Sequence, residues 1–183
     1  FLSVFCIFGL SEWVPTLMQA RGESFGWSFG FGALMQIMAF IGALVCGYLV
    51  DRTRLARTWL CAWSLGGALV VLALVFFDQH SVNMICTAMA GFCLIGGQFV
   101  LNNFTAASYE TGLRATAVGM ELAVGRLGAI LGPFIGGTLQ QASGGQNAML
   151  LAIALAAAGA GGAVLFARRV RPVQLDAYAP AQP

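Results

Sequence analysis

The uncharged stretch SFGWSFGFGALMQIMAFIGALVCGYLV (24–50) decides the fold class, because it is long enough to cross a membrane. A helix needs about 20 mainly apolar residues to span a hydrocarbon core about 30 Å thick. Two more such stretches lie at 79–109 and 127–167, and the polar sequence QQASGGQ (140–146) divides the second of them. Charged residues make up only 9% of the 183 residues, whereas soluble domains carry about 25%. The sequence therefore predicts a membrane protein.

Six membrane-crossing segments are expected, and all of them are expected to be helices. Backbone amides in lipid must be hydrogen-bonded within the protein, which leaves only helices and closed barrels. Barrel strands alternate apolar and polar residues, and these segments do not. We therefore predict an all-α membrane bundle in residues 1–168, with six transmembrane helices (spans one to six) near residues 1–19, 25–50, 58–77, 81–108, 116–139 and 147–167.

The distribution of charge predicts the orientation of the bundle. All nine basic residues are arginine. Arg21 falls in a loop on one side of the membrane and Arg126 inside span five. The other seven share the opposite side: Arg52, Arg54, Arg57, Arg114, Arg168, Arg169 and Arg171. The positive-inside rule makes that side cytoplasmic, and it places a disordered tail (169–183) there. Because no basic patch is interleaved with aromatic residues, the lipid bilayer and not nucleic acid is the expected partner.

The composition argues against an enzyme. The five cysteines lie inside spans without metal-ligand spacing, where they behave as small apolar residues: Cys6, Cys46, Cys61, Cys86 and Cys93. A membrane-embedded enzyme would need paired acids, a metal cluster or an activated serine or cysteine at membrane depth. We therefore expect no enzymatic activity, no metal and no cofactor.

Arg126 is the residue that lipid contact explains least well. It lies about eleven residues into span five, which is about 16 Å of rise and close to mid-bilayer. An arginine there costs roughly 2.5–3.5 kcal/mol on insertion scales, so it is expected to face a cavity or a partner. A substrate carboxylate would fit the planar guanidinium, and a buried ion pair with an acid on another helix is the alternative. Glu121, five residues earlier, points in a different direction.

Several uncharged side chains are candidates for lining the same cavity. Gln98, Asn102 and Thr105 form one polar stripe on span four because of their i, i+4, i+7 spacing, and Gln36 adds a polar group to span two. Interhelical hydrogen bonds that only hold the bundle together are the alternative. Trp13, near the outer end of span one, is either an interfacial anchor or an aromatic wall for a ring-shaped substrate.

Glycines recur on one face of span five, at Gly125, Gly128, Gly132 and Gly136. Small residues at such spacing let two helix backbones approach closely. We predict tight helix packing here, which is compatible with a surface on which helices rock.

The segment GYLVDRTR (47–54) places a glycine one helical turn before an Asp-Arg pair, where span two leaves the membrane. Asp51 there can accept hydrogen bonds from the N-terminus of a facing helix, and ordinary positive-inside flanking is the alternative. The segment resembles the loop signature of the major facilitator superfamily, G-x-x-x-D-R-x-G-R-R. Gly47, Asp51 and Arg52 match the signature, while Arg54 stands where the family has glycine.

A longer resemblance covers GGQFVLNNFTAASYETGLRATAVGMELAVGRLGAILGPFIGG (96–137). It is similar to the tenth and eleventh helices of the aromatic acid:proton symporters of that superfamily. The typical run there is close to G-x-Q-x-x-L-N, then Y-P-T-x-x-R-A-T-G-x-G, then G-R-x-G-x-x-x-G-P. The matching residues are Gln98, Asn102, Tyr109, Thr111, Arg114, Gly119, Gly125, Arg126, Gly128, Gly132 and Pro133. The sequence WVPTL (13–17) in span one resembles the family's W-L-P-T-L.

The resemblance runs through nearly the whole chain in the order of helices seven to twelve. It implies the C-terminal half of a twelve-helix bacterial inner-membrane transporter, separated here from its N-terminal six-helix half, that moves a small aromatic acid by proton symport and alternating access. For such a transporter we predict substrate binding by Arg126, Gln98, Asn102, Trp13 and Gln36, proton coupling by Glu121, and cytoplasmic gating by Gly47, Asp51, Arg52 and Arg114.

Two other functions stay open at this point. A sugar, drug or metabolite carrier of the same superfamily would share the fold, and a non-transporting membrane assembly subunit would account for the half length. The chain begins directly in an apolar stretch at Phe1, so we expect it to be part of a longer protein. An in-frame upstream continuation with six further spans would favour the transporter.

Overall fold

The computed structural model describes residues 1–22, 24–143 and 146–166, and every regular element in these ranges is helical. The elements are α1 (Leu2–Ser11), α2 (Val14–Ala20), α3 (Phe25–Thr53), α4 (Ala56–Phe76), α5 (His80–Ala90), a π-helical turn (Gly91–Ile95), α6 (Gly96–Ala107), α7 (Thr111–Ser143) and α8 (Gln146–Phe166). The predicted tail at 169–183, with two of the arginines used to assign the orientation, lies outside the described residues, as does Arg168.

Five membrane-length apolar helices are present, counting α5, the π-helical turn and α6 as one, and the bent pair α1 and α2 supplies a sixth crossing when it is treated as a broken span. The predicted all-α membrane bundle is therefore confirmed. The predicted spans leave residues 51–57 and 109–115 as loops on the arginine-rich side, and the structure shortens both loops. Because α3 continues to Thr53 and α7 begins at Thr111, most of both segments is helical, and the Asp51-Arg52 pair occupies the last turns of α3.

The first span is broken, although the sequence predicts one continuous helix. The axes of α1 and α2 meet at 47°, with Glu12 and Trp13 between them. Pro15 lies in the first turn of α2. Its ring would clash with the carbonyl of Ser11 in a continuous helix, and it has no amide hydrogen to donate. The break therefore follows from the proline of the WVPTL segment.

The core lies where the broken span packs against α3, α4 and α8. Leu10, Leu17, Met35, Leu74 and Leu150 belong to one cluster there and are at most 2% exposed. Since lipid tails are as apolar as leucine, van der Waals packing between helices stabilises such a core more than removal from water does.

The glycine face of span five packs tightly on a neighbouring helix, as the sequence predicts, and that helix is α1. A Cβ on Gly128 would lie 2.6 Å from the carbonyl oxygen of Phe1, and one on Gly132 would lie 2.7 Å from that of Phe5. Real Cβ atoms do not approach other atoms so closely, so only glycine fits at either position. The prediction of tight packing is confirmed, and α7 is held directly against the backbone of α1.

One end of the bundle is tied by Arg21, whose side chain is only 6% exposed. Its guanidinium donates to Asn83 Oδ1 at 2.7 Å and to the carbonyl oxygens of Leu74 at 2.5 Å and Phe77 at 3.2 Å. Its Nε lies 3.5 Å from Asp78 Oδ1. A cation at the last carbonyls of α4 is favoured by the helix dipole. Arg21 thus joins α2 to α4 and α5, a role that its predicted loop position did not indicate.

The opposite end is tied in the same way by Arg57. Its guanidinium donates to the carbonyl oxygens of Val164, at 3.3 Å, and Leu165 at the C-terminus of α8. Next to it, the Trp59 indole donates to Thr53 Oγ1 at 2.8 Å, which joins the end of α3 to α4. The start of α4 and the end of α8 therefore lie at the same end of the bundle.

Arg54 ends α3 with φ 58° and ψ 19°, and among the described residues other than glycine it is the one with positive φ. The left-handed conformation costs an L-residue roughly 1–2 kcal/mol, and glycine avoids this cost. The family signature has glycine at this position. We expect Arg54→Gly to raise the free energy of unfolding of the detergent-solubilised protein by about 1 kcal/mol, measured by denaturant unfolding.

Arg52→Gly is the matched control for this prediction. Arg52 lies inside the last turns of α3, where glycine costs about 1 kcal/mol relative to a good helix former. The two arginine-to-glycine changes should therefore shift stability in opposite directions, and a loss of stability in both would contradict the explanation.

Candidate functional site

A chain of polar side chains crosses from α1 through α6 to α7. Ser3 Oγ donates to Gln98 Oε1 at 2.5 Å, and Gln98 Nε2 donates to Asn102 Oδ1 at 2.7 Å. With the Asn102 amide in its other orientation, Nδ2 donates to Glu121 Oε1 at 3.0 Å. The bonds to Ser3 and to Glu121 are interhelical, which was one of the two alternatives for Gln98 and Asn102, whereas the Gln98–Asn102 bond lies within α6. The structure thus brings the two predicted amides to Glu121 and not to Arg126.

Glu121 lies at the wall of a groove of about 520 Å³ between α1, α6 and α7. Thr105, the third residue of the predicted polar stripe, lines the same groove, together with Phe1, Tyr109, Leu113, Thr116, Ala117, Met120 and Val124. The carboxylate oxygen Oε2 of Glu121 is buried and has no hydrogen-bond partner among the described residues. Its other oxygen, Oε1, is the one that meets Asn102.

Arg126 lies half-way along α7 with its side chain exposed. In the part of the chain that the structure describes, no salt bridge joins it to an acid, so the alternative of an ion pair is not realised within these residues. Arg126 shares a face of α7 with Ala129 and Pro133, which follow it by three and seven residues. Its separation from Glu121, half-buried on another face, agrees with the prediction that the two point in different directions.

The face of α7 that carries Arg126 continues into a second groove, of about 400 Å³. This groove is lined by Phe8, Glu12, Trp13, Thr16, Ala129 and Pro133. It therefore combines two aromatic rings from the broken span with the helix face on which the arginine lies. The charged residue that lines this groove is Glu12, while Arg126 lies one turn before Ala129 on the adjoining part of α7. The groove therefore suits an aromatic ring, and an anionic group on the same ligand would have to reach beyond it to Arg126.

Trp13 occupies the bend between α1 and α2 and is half-buried. Its indole nitrogen donates to the carbonyl oxygen of Pro133 at 3.2 Å. A Cβ on Gly136 or Gly137 would lie within 3.3 Å of the indole ring, so the ring packs directly on α7. Trp13 therefore fixes the bend to α7 and also presents part of its ring to the groove.

The remaining predicted site residues lie elsewhere. Gln36 is exposed on α3 and lines a separate groove of about 440 Å³ between α3 and α6, together with Gly47. Asp51, Arg52 and Arg114 are exposed at the end of the bundle that Arg57 ties. No hydrogen bond or salt bridge links these three side chains to other described residues, and a Cβ on Gly47 would meet nothing within 4 Å.

Sequence reasoning missed Ser3, which completes the polar chain. A serine in an apolar span is common and carries no signal by itself. The signal that the sequence did offer was Gln98 itself. A buried side-chain amide in a membrane span needs a hydrogen-bond partner, so a polar residue such as Ser3 was to be expected on a neighbouring helix. In the described ranges, no group of three or more His, Cys, Asp and Glu side chains forms a cluster suited to a metal.

Comparison with known proteins agrees with this architecture. The sequence matches the Major Facilitator Superfamily profile over residues 1–182. It is 36% identical over 139 residues to the gallate transporter of Pseudomonas putida, which covers 76% of this chain and 31% of that protein. It is 32% identical over 165 residues to the 4-hydroxybenzoate transporter PcaK of Pseudomonas aeruginosa, covering 90% and 37%.

A third relative is the 3-(3-hydroxy-phenyl)propionate transporter of Escherichia coli, with 31% identity over 173 residues, covering 93% of this chain and 43% of that protein. The chain thus spans less than half the length of these three relatives. The family match extends over nearly all of the chain, and the six-span helical bundle is the architecture expected for it. The chain belongs to the Major Facilitator Superfamily.

Proposed function

We propose that this chain is the C-terminal half of a secondary transporter that moves a small aromatic acid together with protons by alternating access. The observation that carries the proposal is Arg126, a guanidinium half-way along a membrane-length helix with no acidic partner among the described residues. A charge at that depth needs water, an anion or a counter-charge. An aromatic-walled groove adjoins the same helix face.

The substrate would bind between this half and a second six-helix half. The carboxylate would pair with Arg126, because the guanidinium offers two parallel donors. Phe8 and Trp13 would contact the ring. The named relatives support this substrate class, since their names specify gallate, 4-hydroxybenzoate and a hydroxyphenylpropionate, all of which are aromatic carboxylates.

The gate would form at the arginine-rich end. Asp51 and Arg52 end α3 without partners in the described residues, so each is free to bind a helix of the second half. Arg114 lies near the start of α7 at the same end. With the positive-inside rule, this end and the C-terminus would face the cytoplasm of a bacterial cell. Gln36 and Gly47 line one groove on α3 and would also face the second half.

Uptake of labelled aromatic acids tests the proposal. Cells that express the full-length protein should accumulate benzoate or 4-hydroxybenzoate saturably, and a protonophore should abolish the accumulation. Unlabelled sugars should not compete. Absence of uptake for every aryl carboxylate tried, together with uptake of a sugar or an unrelated metabolite, would instead favour the other carriers of the superfamily.

Glu121 is the proposed proton-coupling residue, because its carboxyl lies at the groove wall and ends a chain of polar groups. We expect Glu121→Gln to uncouple transport from the proton gradient. Under an imposed gradient of one pH unit, losing one coupled proton should lower the accumulation ratio about tenfold, since about 1.4 kcal/mol is a factor of ten. Exchange of labelled for unlabelled substrate should persist. Proteoliposome uptake and exchange assays measure both.

The matched control is Glu110→Gln, which makes the same change at an exposed acid just before α7. It should leave both accumulation and exchange unchanged. An equal loss of accumulation in both variants would contradict a specific role for Glu121.

A further inference from the structure

The hydrogen bonds between Ser3 and Glu121 have two self-consistent directions. The terminal atom of Asn102 that meets Gln98 Nε2 at 2.7 Å also lies 3.0 Å from Glu121 Oε1 and 3.2 Å from the backbone carbonyl oxygen of Gln98. Because that carbonyl only accepts, it favours a nitrogen at this place, and an oxygen there depends on a proton at Glu121. An oxygen at this place accepts from Gln98, and it can also accept from Glu121 when the carboxyl carries a proton. A nitrogen at this place donates to Glu121 Oε1, which suits the ionised carboxylate because that group only accepts.

When the side-chain amide of Asn102 rotates and exchanges its oxygen for its nitrogen, the amide of Gln98 must rotate as well. If Asn102 presents its nitrogen, the Gln98 nitrogen 2.7 Å away would face another donor. Gln98 therefore turns as well, so that its Oε1 accepts from Asn102 and its Nε2 donates to Ser3 Oγ. The position facing Ser3 now holds an acceptor at 2.5 Å, and a serine hydroxyl can either donate or accept. Both amides thus reverse together.

We infer that Ser3, Gln98, Asn102 and Glu121 form a reversible hydrogen-bond chain whose direction is set by the protonation of Glu121. The inference rests on the proposed role of Glu121 in proton coupling. It adds the residues through which protonation of Glu121 changes hydrogen bonds on α6 and α1. The proton enters and leaves at the Glu121 carboxyl through the groove that it lines, and no other proton leaves a side chain. Only the order of donors and acceptors changes.

The surroundings of Glu121 leave Asn102 as its specific partner. The described parts of α6 and α8, and α1 itself, contribute no charged side chain. The other titratable or charged groups are the Tyr109 phenol at the groove, and Arg114 and Arg126 on α7. Arg114 lies about 10 Å along the helix axis, and Arg126 lies on another face. Burial of the unpartnered oxygen Oε2 makes the bond at Oε1 the more important one.

The hydrogen-bond chain ends on α1, the helix that leads into the bend at Trp13. Ser3 belongs to α1, which packs backbone to backbone against α7 and meets α2 at the Trp13 bend. The protonation state of a carboxyl on α7 is therefore transmitted to two other helices, α6 and α1. Gln98 and Asn102 act here as positioning residues for proton coupling and not as substrate ligands.

Infrared difference spectroscopy of the full-length protein in liposomes tests the inference. A pH step should change the carboxyl band of Glu121 and the side-chain amide bands of asparagine and glutamine with the same pH midpoint. Glu121→Gln should remove both signals. Asn102→Leu should keep the carboxyl signal and remove the amide signal, whereas Asn103→Leu, the same change at the adjacent exposed residue, should keep both.

Gln98→Leu is a second variant in case Asn102→Leu does not fold. It should retain about half of the amide signal, because one of the two side-chain amides remains. If the carboxyl band changes with pH while the side-chain amide bands do not, the inference is overturned, even where uptake remains proton-coupled. Linked bands in a protein whose uptake ignores the proton gradient would support the chain and overturn the symport.

Discussion

Replacing Gly42 by alanine should lower the free energy of unfolding by about 3 kcal/mol, at the upper end of typical overpacking costs. Gly42 is buried on α3, and a Cβ there would overlap the carbonyl oxygen of Phe92 in the π-helical turn. The contact is reciprocal, since a Cβ on Gly91 would overlap the carbonyl oxygen of Met35, and one on Gly96 would lie 2.7 Å from the Gly42 carbonyl carbon. Backbone atoms cannot move aside as a flexible side chain can, so the two helices must separate.

Gly32→Ala is the matched control on the same helix. A Cβ on Gly32 would meet nothing within 4 Å, and alanine is the better helix former by about 1 kcal/mol. Its stability should be unchanged or slightly higher. Thermal unfolding of the two purified proteins in detergent, followed by tryptophan fluorescence, compares them directly. Equal stability of the two variants would show that the folded protein does not depend on the close approach of α3 to the π-helical turn.

Arg126→Ala should reduce uptake of an aromatic acid, at substrate concentrations well below saturation, by about thirtyfold or more. Removing one partner of a desolvated charge pair costs roughly 2–5 kcal/mol, and each 1.4 kcal/mol is a factor of ten. The protein should still fold, because the exposed side chain of Arg126 makes no salt bridge within the described residues. Initial uptake rates, normalised to the amount of protein in the membrane, measure the effect.

Arg126→Lys provides a graded comparison. Lysine keeps the positive charge but lacks the planar pair of donors, so its uptake should lie between those of the native protein and the alanine variant. The native protein should also reject the uncharged amide of the same acid. Full uptake by the alanine variant would exclude pairing of Arg126 with the substrate.

Much of the bundle is predictable because lipid imposes few solutions on an apolar chain. The uncharged stretch at 24–50 had to be a helix, and the glycine spacing from Gly125 to Gly136 had to permit a close neighbour. The neighbour itself was not predictable. Gly128 and Gly132 pack on α1, and their own helix contains nothing that selects α1 over another span.

The candidate site was only partly predictable, for a related reason. The sequence separates Gln98 and Asn102 from Arg126 by many residues but does not show the direction in which each helix is rotated. The structure turns both amides toward Glu121 and Ser3. Arg21 was placed in a loop, yet its guanidinium is enclosed by the ends of α4 and α5, because three acceptors happen to converge there.

Whether Arg126 faces water is the most direct test of the proposed carrier. A single cysteine is introduced at position 126 of the full-length protein after the native cysteines, all buried in this structure, have been replaced by serine or alanine. A water-soluble, charged thiol reagent should modify this cysteine from at least one side of the membrane. A cysteine at Leu155, a residue of α8 that is 73% exposed, should react only with lipid-soluble reagents. If position 126 behaves like position 155, the guanidinium has no aqueous cavity and the transport site proposed around it does not exist.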